Sequence, residues 1–186
     1  MENLLPYGPV LVAWAEAADR AASARAADGL LDALIRRVAP ESDPRLGRRC
    51  PICGSSDHGP RRAVAAPVRV SVAHTAGLVV AAAVRSDAAA ALGIDAEALS
   101  AAGGRAFPAP LGSLAEWVRY EAAVKADGRG LLVPPEEVVA DGRGTIPPGT
   151  ILPGAQRVRI GTRSFEVAEV DAVPGALIGI AVEPRS

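Results

Sequence analysis

The chain has 186 residues, 20 basic and 21 acidic side chains, a formal net charge of −1, and a composition that is 49% hydrophobic but only 3% aromatic. Near-balanced charge argues against a protein held on nucleic acid or a membrane surface by bulk electrostatics, and the core must be filled by Ala, Val and Leu. The length suits one large domain or two small halves sharing a core. No N-terminal targeting pattern is apparent and the longest apolar run, 78–84, is far short of a membrane span, so a soluble cytoplasmic protein is expected.

Residues 10–14, Val-Leu-Val-Ala-Trp, predict a short strand after the turn-like Pro6 and Gly8. Residues 16–38 are alanine-rich, and Leu30, Leu31, Leu34, Ile35 and Val38 recur at helical spacing. They predict a helix decorated by Arg20, Arg25, Arg36 and Arg37 and interrupted near Asp28-Gly29. Residues 40–67 are loop-rich and carry both cysteines. Residues 68–72 alternate as a strand should, and a connection through His74 and Gly77 leads to the buried strand 78–84. Residues 94–97 predict a third extended piece, followed by a small, flexible stretch over 98–112. Ser113 caps a helix running to about 127, with Glu116 placed for a capping box. Strands are predicted at 157–160, 164–171 and 177–182. The pattern of strand, Gly-bearing connection and apolar strand thus occurs twice, which suggests two related α/β halves; a hairpin recurring by chance reads the same.

Several groups of residues carry chemistry. If Gly93 to Glu97 is extended, Asp95 and Glu97 share a face, and a hard divalent cation such as Mg²⁺ is the usual partner for two carboxylates so placed. Taken alone, they read first as two solvated acids at the end of a strand. Glu121 and Lys125 share one helical face, as an ordinary surface ion pair or as a third carboxylate with an ammonium beside it. Lys125 is the chain's only lysine, in a composition that otherwise uses arginine, which suits a place wanting a compact ammonium. His74 and Thr75 fall in the connection before Gly77, where a turn can present donors to phosphate. Cys50-Pro51-Ile52-Cys53-Gly54 resembles half of a zinc knuckle. There is no second CxxC, His58 would give only three ligands, and reduced cysteines in an ordered loop are the alternative.

Four segments in order resemble one family. They are CPICGSSDHGPR beginning at Cys50, SVAHTAG beginning at Ser71, LGIDAE beginning at Leu92 and WVRYEAAVKADGRGL beginning at Trp117. Together they are similar to the surfactin-synthetase-activating (Sfp-type) 4′-phosphopantetheinyl transferases, with most of the specificity in the last two motifs. The resemblance implies a pseudo-twofold, two-lobed α/β (α+β) fold. Its N-terminal lobe, 1–92, would bind coenzyme A, and its C-terminal lobe, 93–186, would be metal-binding and catalytic. It implies transfer of 4′-phosphopantetheine from coenzyme A to a serine of an acyl or peptidyl carrier protein, with release of adenosine 3′,5′-bisphosphate. Asp95, Glu97 and Glu121 would hold Mg²⁺, and Glu121, Lys125 and His74 would serve catalysis. Lys125, His74 and Thr75 would hold phosphates, with Arg61, Arg20 and Arg25 at the adenosine end. The protein would be a monomer with no nucleic-acid or membrane partner. A non-catalytic homologue that binds coenzyme A or a carrier is the alternative, and an unrelated zinc-loop interaction module is a third reading. The chain departs from the family pattern at Tyr120 (usually Lys or Arg), at Ala73 (usually Ser) and in the order Gly59-Pro60-Arg61. The segment 98–116 is also shorter than in many members.

Overall fold

Each half of the chain folds as a strand, a helix and a glycine-turned hairpin whose last strand returns to pair with the first. The computed structural model describes residues 3–102, 106–141 and 149–185. In the first half β1 (Leu4–Tyr7) and β2 (Val10–Glu16) lead into α1 (Arg20–Val38). A small ribbon, β3 (Leu46–Arg48) and β4 (Arg61–Ala63), precedes the hairpin β5 (Val68–Thr75) and β6 (Leu78–Arg85). In the second half β7 (Ala89–Ala98) leads to α2 (Leu114–Asp127), the short β8 (Val138–Ala140), β9 (Gln156–Ile160), and the hairpin β10 (Arg163–Val173) and β11 (Ala176–Pro184).

The sheets run β1-β2-β6-β5 and β7-β11-β10-β9-β8, with β3-β4 apart, and every pairing is antiparallel. This is an α+β fold. The order β2-β6-β5 around α1 repeats as β7-β11-β10 around α2. β7 runs continuously through residues 92 and 93, the expected boundary between lobes, and all of it belongs to the second sheet.

Alternation along the strands makes three apolar layers. Val10, Val12, Val80 and Val84 meet Ile94, Ile178, Ile180 and Val182 between the sheets. Leu30, Leu31, Leu34 and Ile35 of α1 cover Ala13, Val79, Ala81 and Ala83. Val118, Ala122 and Val124 of α2 cover Phe165, Val167 and Ala181. No helix among the described residues is long and apolar enough to cross a membrane.

Two expectations change. α1 is unbroken at Asp28-Gly29: Gly29 points into open space, and its cost of about 1 kcal/mol against Ala is offset by the continuous apolar face on either side. His74 and Thr75 are the last two residues of β5, paired with Val79 and Leu78, so the turn comprises Ala76 and Gly77 only. The hairpin twists back at Gly77, whose φ of +72° favours glycine. The Ser113 cap forms as expected: its hydroxyl accepts the Glu116 N–H, and Glu116 Oε2 accepts from the Gly112 N–H and the Ser113 hydroxyl. Of the stretch expected to be flexible, residues 99–102 form a 3-10 turn and 103–105 lie outside the described residues.

Candidate active site

Helix α2 lies unusually close to the second sheet, and two glycines are the reason. A Cβ on Gly93 would sit 2.0 Å from the Ala122 carbonyl oxygen, and one on Gly179 would sit 2.1 Å from that of Val118. Gly179 is paired across the sheet with Asp95. The helix therefore rests on bare backbone beside Asp95, and side chains on its sheet-facing edge reach the strand directly.

Asp95 and Glu97 do point to the same side of β7, toward α2. Lys125 Nζ donates to Asp95 Oδ1 at 2.5 Å and lies 3.5 Å from Glu121 Oε2. Trp117 Nε1 donates to Glu97 Oε1 at 3.0 Å. Asp95 is 4% exposed, and its second oxygen, Oδ2, is buried with no hydrogen-bond partner. The three carboxylates and the lysine expected from sequence thus lie along one strip of β7 and α2, but the carboxylates do not converge. Among the described residues only Cys50, Cys53 and His58 bring three candidate ligand atoms within 4.8 Å of one another. Lys125 neutralises the space between Asp95 and Glu121. An orphaned carboxylate oxygen, a second carboxylate beside it and an all-oxygen donor set fit a hard cation such as Mg²⁺, with Asp95 and Glu121 the best placed to hold it.

Burial, and then the charge on Asp95, push the Glu121 carboxyl up to about 7, with Lys125 opposing them. Its ordinary value is 4.5, so between the two values the folded state keeps a proton that the unfolded chain has released. Stability from this group is fully present below 4.5 and is lost as pH rises through 7, by up to about 3 kcal/mol. Glu121→Gln is expected to flatten that part of the profile. Urea denaturation of both proteins from pH 5 to pH 8 measures it, and parallel profiles would remove Glu121 as the cause.

Lys125 also lines a cleft of about 370 Å³ that is walled by both halves: Arg48, Pro60, Arg61, Ser71 and His74 on one side, and Leu92, Lys125, Gly128 and Arg129 on the other. Four cations line it and no acidic side chain does, so the cleft wall suits an anion, with Arg61, Lys125 and Arg129 each already paired from behind with Asp28, Asp95 and Asp127. A neighbouring depression shares Arg48, Arg61 and His74 and adds Arg20 and Ser23. Neither known protein-family models nor curated proteins match this chain.

His74 faces both depressions. Burial, then the charges of Arg61 and Lys125, hold its pKa below the ordinary value, so it is a neutral imidazole at physiological pH. Its Nδ1 is 2.7 Å from the Ser23 hydroxyl of α1. Arg61 is fixed to the same helix by Asp28 Oδ1 and the Ala24 carbonyl.

The remaining expected residues divide. Arg20 reaches the second depression, but Arg25 is exposed and lines neither, because five residues of helix turn it to another face. Thr75 lies in the strand and not in the turn: its hydroxyl accepts the Ala98 N–H at 2.9 Å, as Ser71 accepts that of Ile94, joining the edges of β5 and β7. Tyr120 is buried, donates to the Val133 carbonyl and stacks near Trp117, so it faces the core of the second half rather than the cleft. Arg48 and Arg129 are site residues that sequence reasoning misses. The available signal for Arg129 is its place between Gly128, which ends α2 in a left-handed conformation, and Gly130.

Proposed function

We propose that the protein is a Mg²⁺-dependent 4′-phosphopantetheinyl transferase of the Sfp type. It would move 4′-phosphopantetheine from coenzyme A to a serine of an acyl or peptidyl carrier protein. The observation that carries this reading is the junction of Asp95, Glu121 and Lys125 with a cleft lined by four cations and no acid. The sequence motifs beginning at Leu92 and Trp117 support it independently.

In this reading the serine hydroxyl attacks the phosphorus that bears the pantetheine arm. The bond from that phosphorus to the bridging oxygen breaks, and adenosine 3′,5′-bisphosphate leaves with the electron pair. Arg48, Arg61 and Arg129 hold phosphate oxygens, while the neutral His74 adds a hydrogen bond without further charge. Lys125 stands where the pyrophosphate meets the carboxylates. Glu121 takes the serine proton as general base. Magnesium held by Asp95 and Glu121, with Glu97 alongside, would neutralise pyrophosphate charge and ease departure of the leaving group.

Intact-mass measurement of an apo carrier protein incubated with coenzyme A, Mg²⁺ and this protein tests the reading. The expected result is a gain of one phosphopantetheine on the carrier serine. Tight binding of coenzyme A with no transfer to fatty-acid, polyketide or peptide carriers would favour the non-catalytic binder instead. One observation leans that way: Glu97 Oε1 already accepts from Trp117.

A further inference from the structure

The loop between β3 and β4, residues 49–60, holds a group of side chains that the proposed reaction does not use. Cys50, Cys53 and His58 place their ligand atoms within 4.8 Å of one another, and Cys53 Sγ lies 3.3 Å from His58 Nε2. The backbone around them is a tight knuckle. Gly54 N–H donates to the Cys50 carbonyl at 2.9 Å, Cys50 N–H donates to the Ser55 carbonyl at 2.8 Å, and Gly54 takes a φ of +74°. The two arms of the loop touch at Gly59, where a Cβ would lie 2.7 Å from Arg49 and Cys50 backbone.

This order has little apolar burial behind it. Cys50 is the only buried residue of the loop and Ile52 is 75% exposed. With so little apolar burial, a cross-link would stabilise these twelve largely exposed residues. Both cysteines are free thiols, and a disulfide between them would give His58 no role.

We propose that Cys50, Cys53 and His58 bind one Zn²⁺, with solvent in the fourth position, and that this ion staples the loop forming one wall of the cleft. Two sulfurs and an imidazole are the soft-to-borderline donors zinc selects, unlike the all-oxygen set around Asp95. Binding displaces the two thiol protons and makes occupancy pH-dependent. The consequence reaches the cleft because Pro51, Gly59, Pro60 and Arg61 line it, and Arg48 donates to the Gly59 carbonyl. Zinc would thereby set the spacing of Arg48 and Arg61, which face each other across β3 and β4. The inference does not depend on the transferase reading.

The test uses the full chain, reduced and supplied with zinc, then desalted and analysed for metal. One zinc per chain is expected, and Co²⁺ in its place should give the intense thiolate-to-metal absorption of a tetrahedral site. Cys53→Ser and His58→Gln change exposed residues, should keep the wild-type far-ultraviolet circular dichroism, and should weaken zinc binding by at least about tenfold. Asp95→Asn should keep the zinc, which separates this site from the carboxylates. Trypsin should cut after Arg49 faster once zinc is chelated. No retained zinc, equal zinc affinity in Cys53→Ser and His58→Gln, or equal trypsin rates with and without zinc would each overturn the proposal.

Discussion

Replacing Gly93 by alanine is expected to destabilise the fold by about 3 kcal/mol or more and to pull α2 away from Asp95. The new methyl would lie 2.0 Å from the Ala122 carbonyl oxygen and 2.6 Å from the Ala126 amide nitrogen. Both are helix backbone, which cannot turn aside as the tip of a flexible side chain can, so the helix as a whole has to move. Gly179→Ala should behave alike, through the Val118 carbonyl 2.1 Å away. Neither glycine has a positive φ, so the penalty is closeness and not backbone conformation. Gly29 supplies the contrast. It sits within α1, where an added methyl would have nothing within 4 Å, and Gly29→Ala should add roughly 0.5–1 kcal/mol. Guanidinium denaturation of the three variants measures the pattern. A Gly93→Ala protein as stable as the wild type would mean that α2 does not rest on β7.

Those glycines explain part of what is and is not legible in the chain. Local signals read well: the Ser113–Glu116 cap, the alternation that puts Asp95 and Glu97 on one face, and the strand–turn–strand pattern found in both halves. Features made by distant pairing do not. Gly93 and Gly179 matter only because β7 and β11 lie side by side beneath the same helix, and Arg48 enters the cleft only because the β3–β4 ribbon brings it opposite Arg61. His74 reads as a turn residue because a histidine and a threonine beside Gly77 resemble loop chemistry. The ladder with β6 extends the strand through both of them. The place of Tyr120 is legible after all. Trp117, Tyr120 and Val124 recur at three and four residues, the spacing of a buried helix face, whereas the family resemblance draws attention to the missing charge. The cysteine loop shows the reverse problem. Spacing from Cys50 to His58 offers three ligands, and only the folded loop shows that all three meet.

Lys125→Met is expected to have the largest effect on the site itself. Without the ammonium, Asp95 and Glu121 face each other with no positive partner, and Asp95 Oδ2 already lacks a hydrogen bond. Removing one member of a buried ion pair costs roughly 3–5 kcal/mol; because the lysine side chain is 32% exposed, about 2–3 kcal/mol is expected at pH 8. Most of that should return at pH 5, where Glu121 is protonated, or on adding Mg²⁺, if these carboxylates bind it as proposed, by mass action. Lys125→Arg should recover less than the charge alone suggests, since a planar fork cannot take the place of a compact ammonium between the two carboxylates. If the proposed transferase reading holds, phosphopantetheine transfer should fall by at least about 100-fold in Lys125→Met, even at Mg²⁺ concentrations that restore stability. That separation is the decisive feature. If Mg²⁺ restored both stability and transfer, Lys125 would be only a counter-ion for the acids. If stability returned and transfer did not, the ammonium would act on the phosphates, and the chain's one lysine would have a chemical reason to be a lysine.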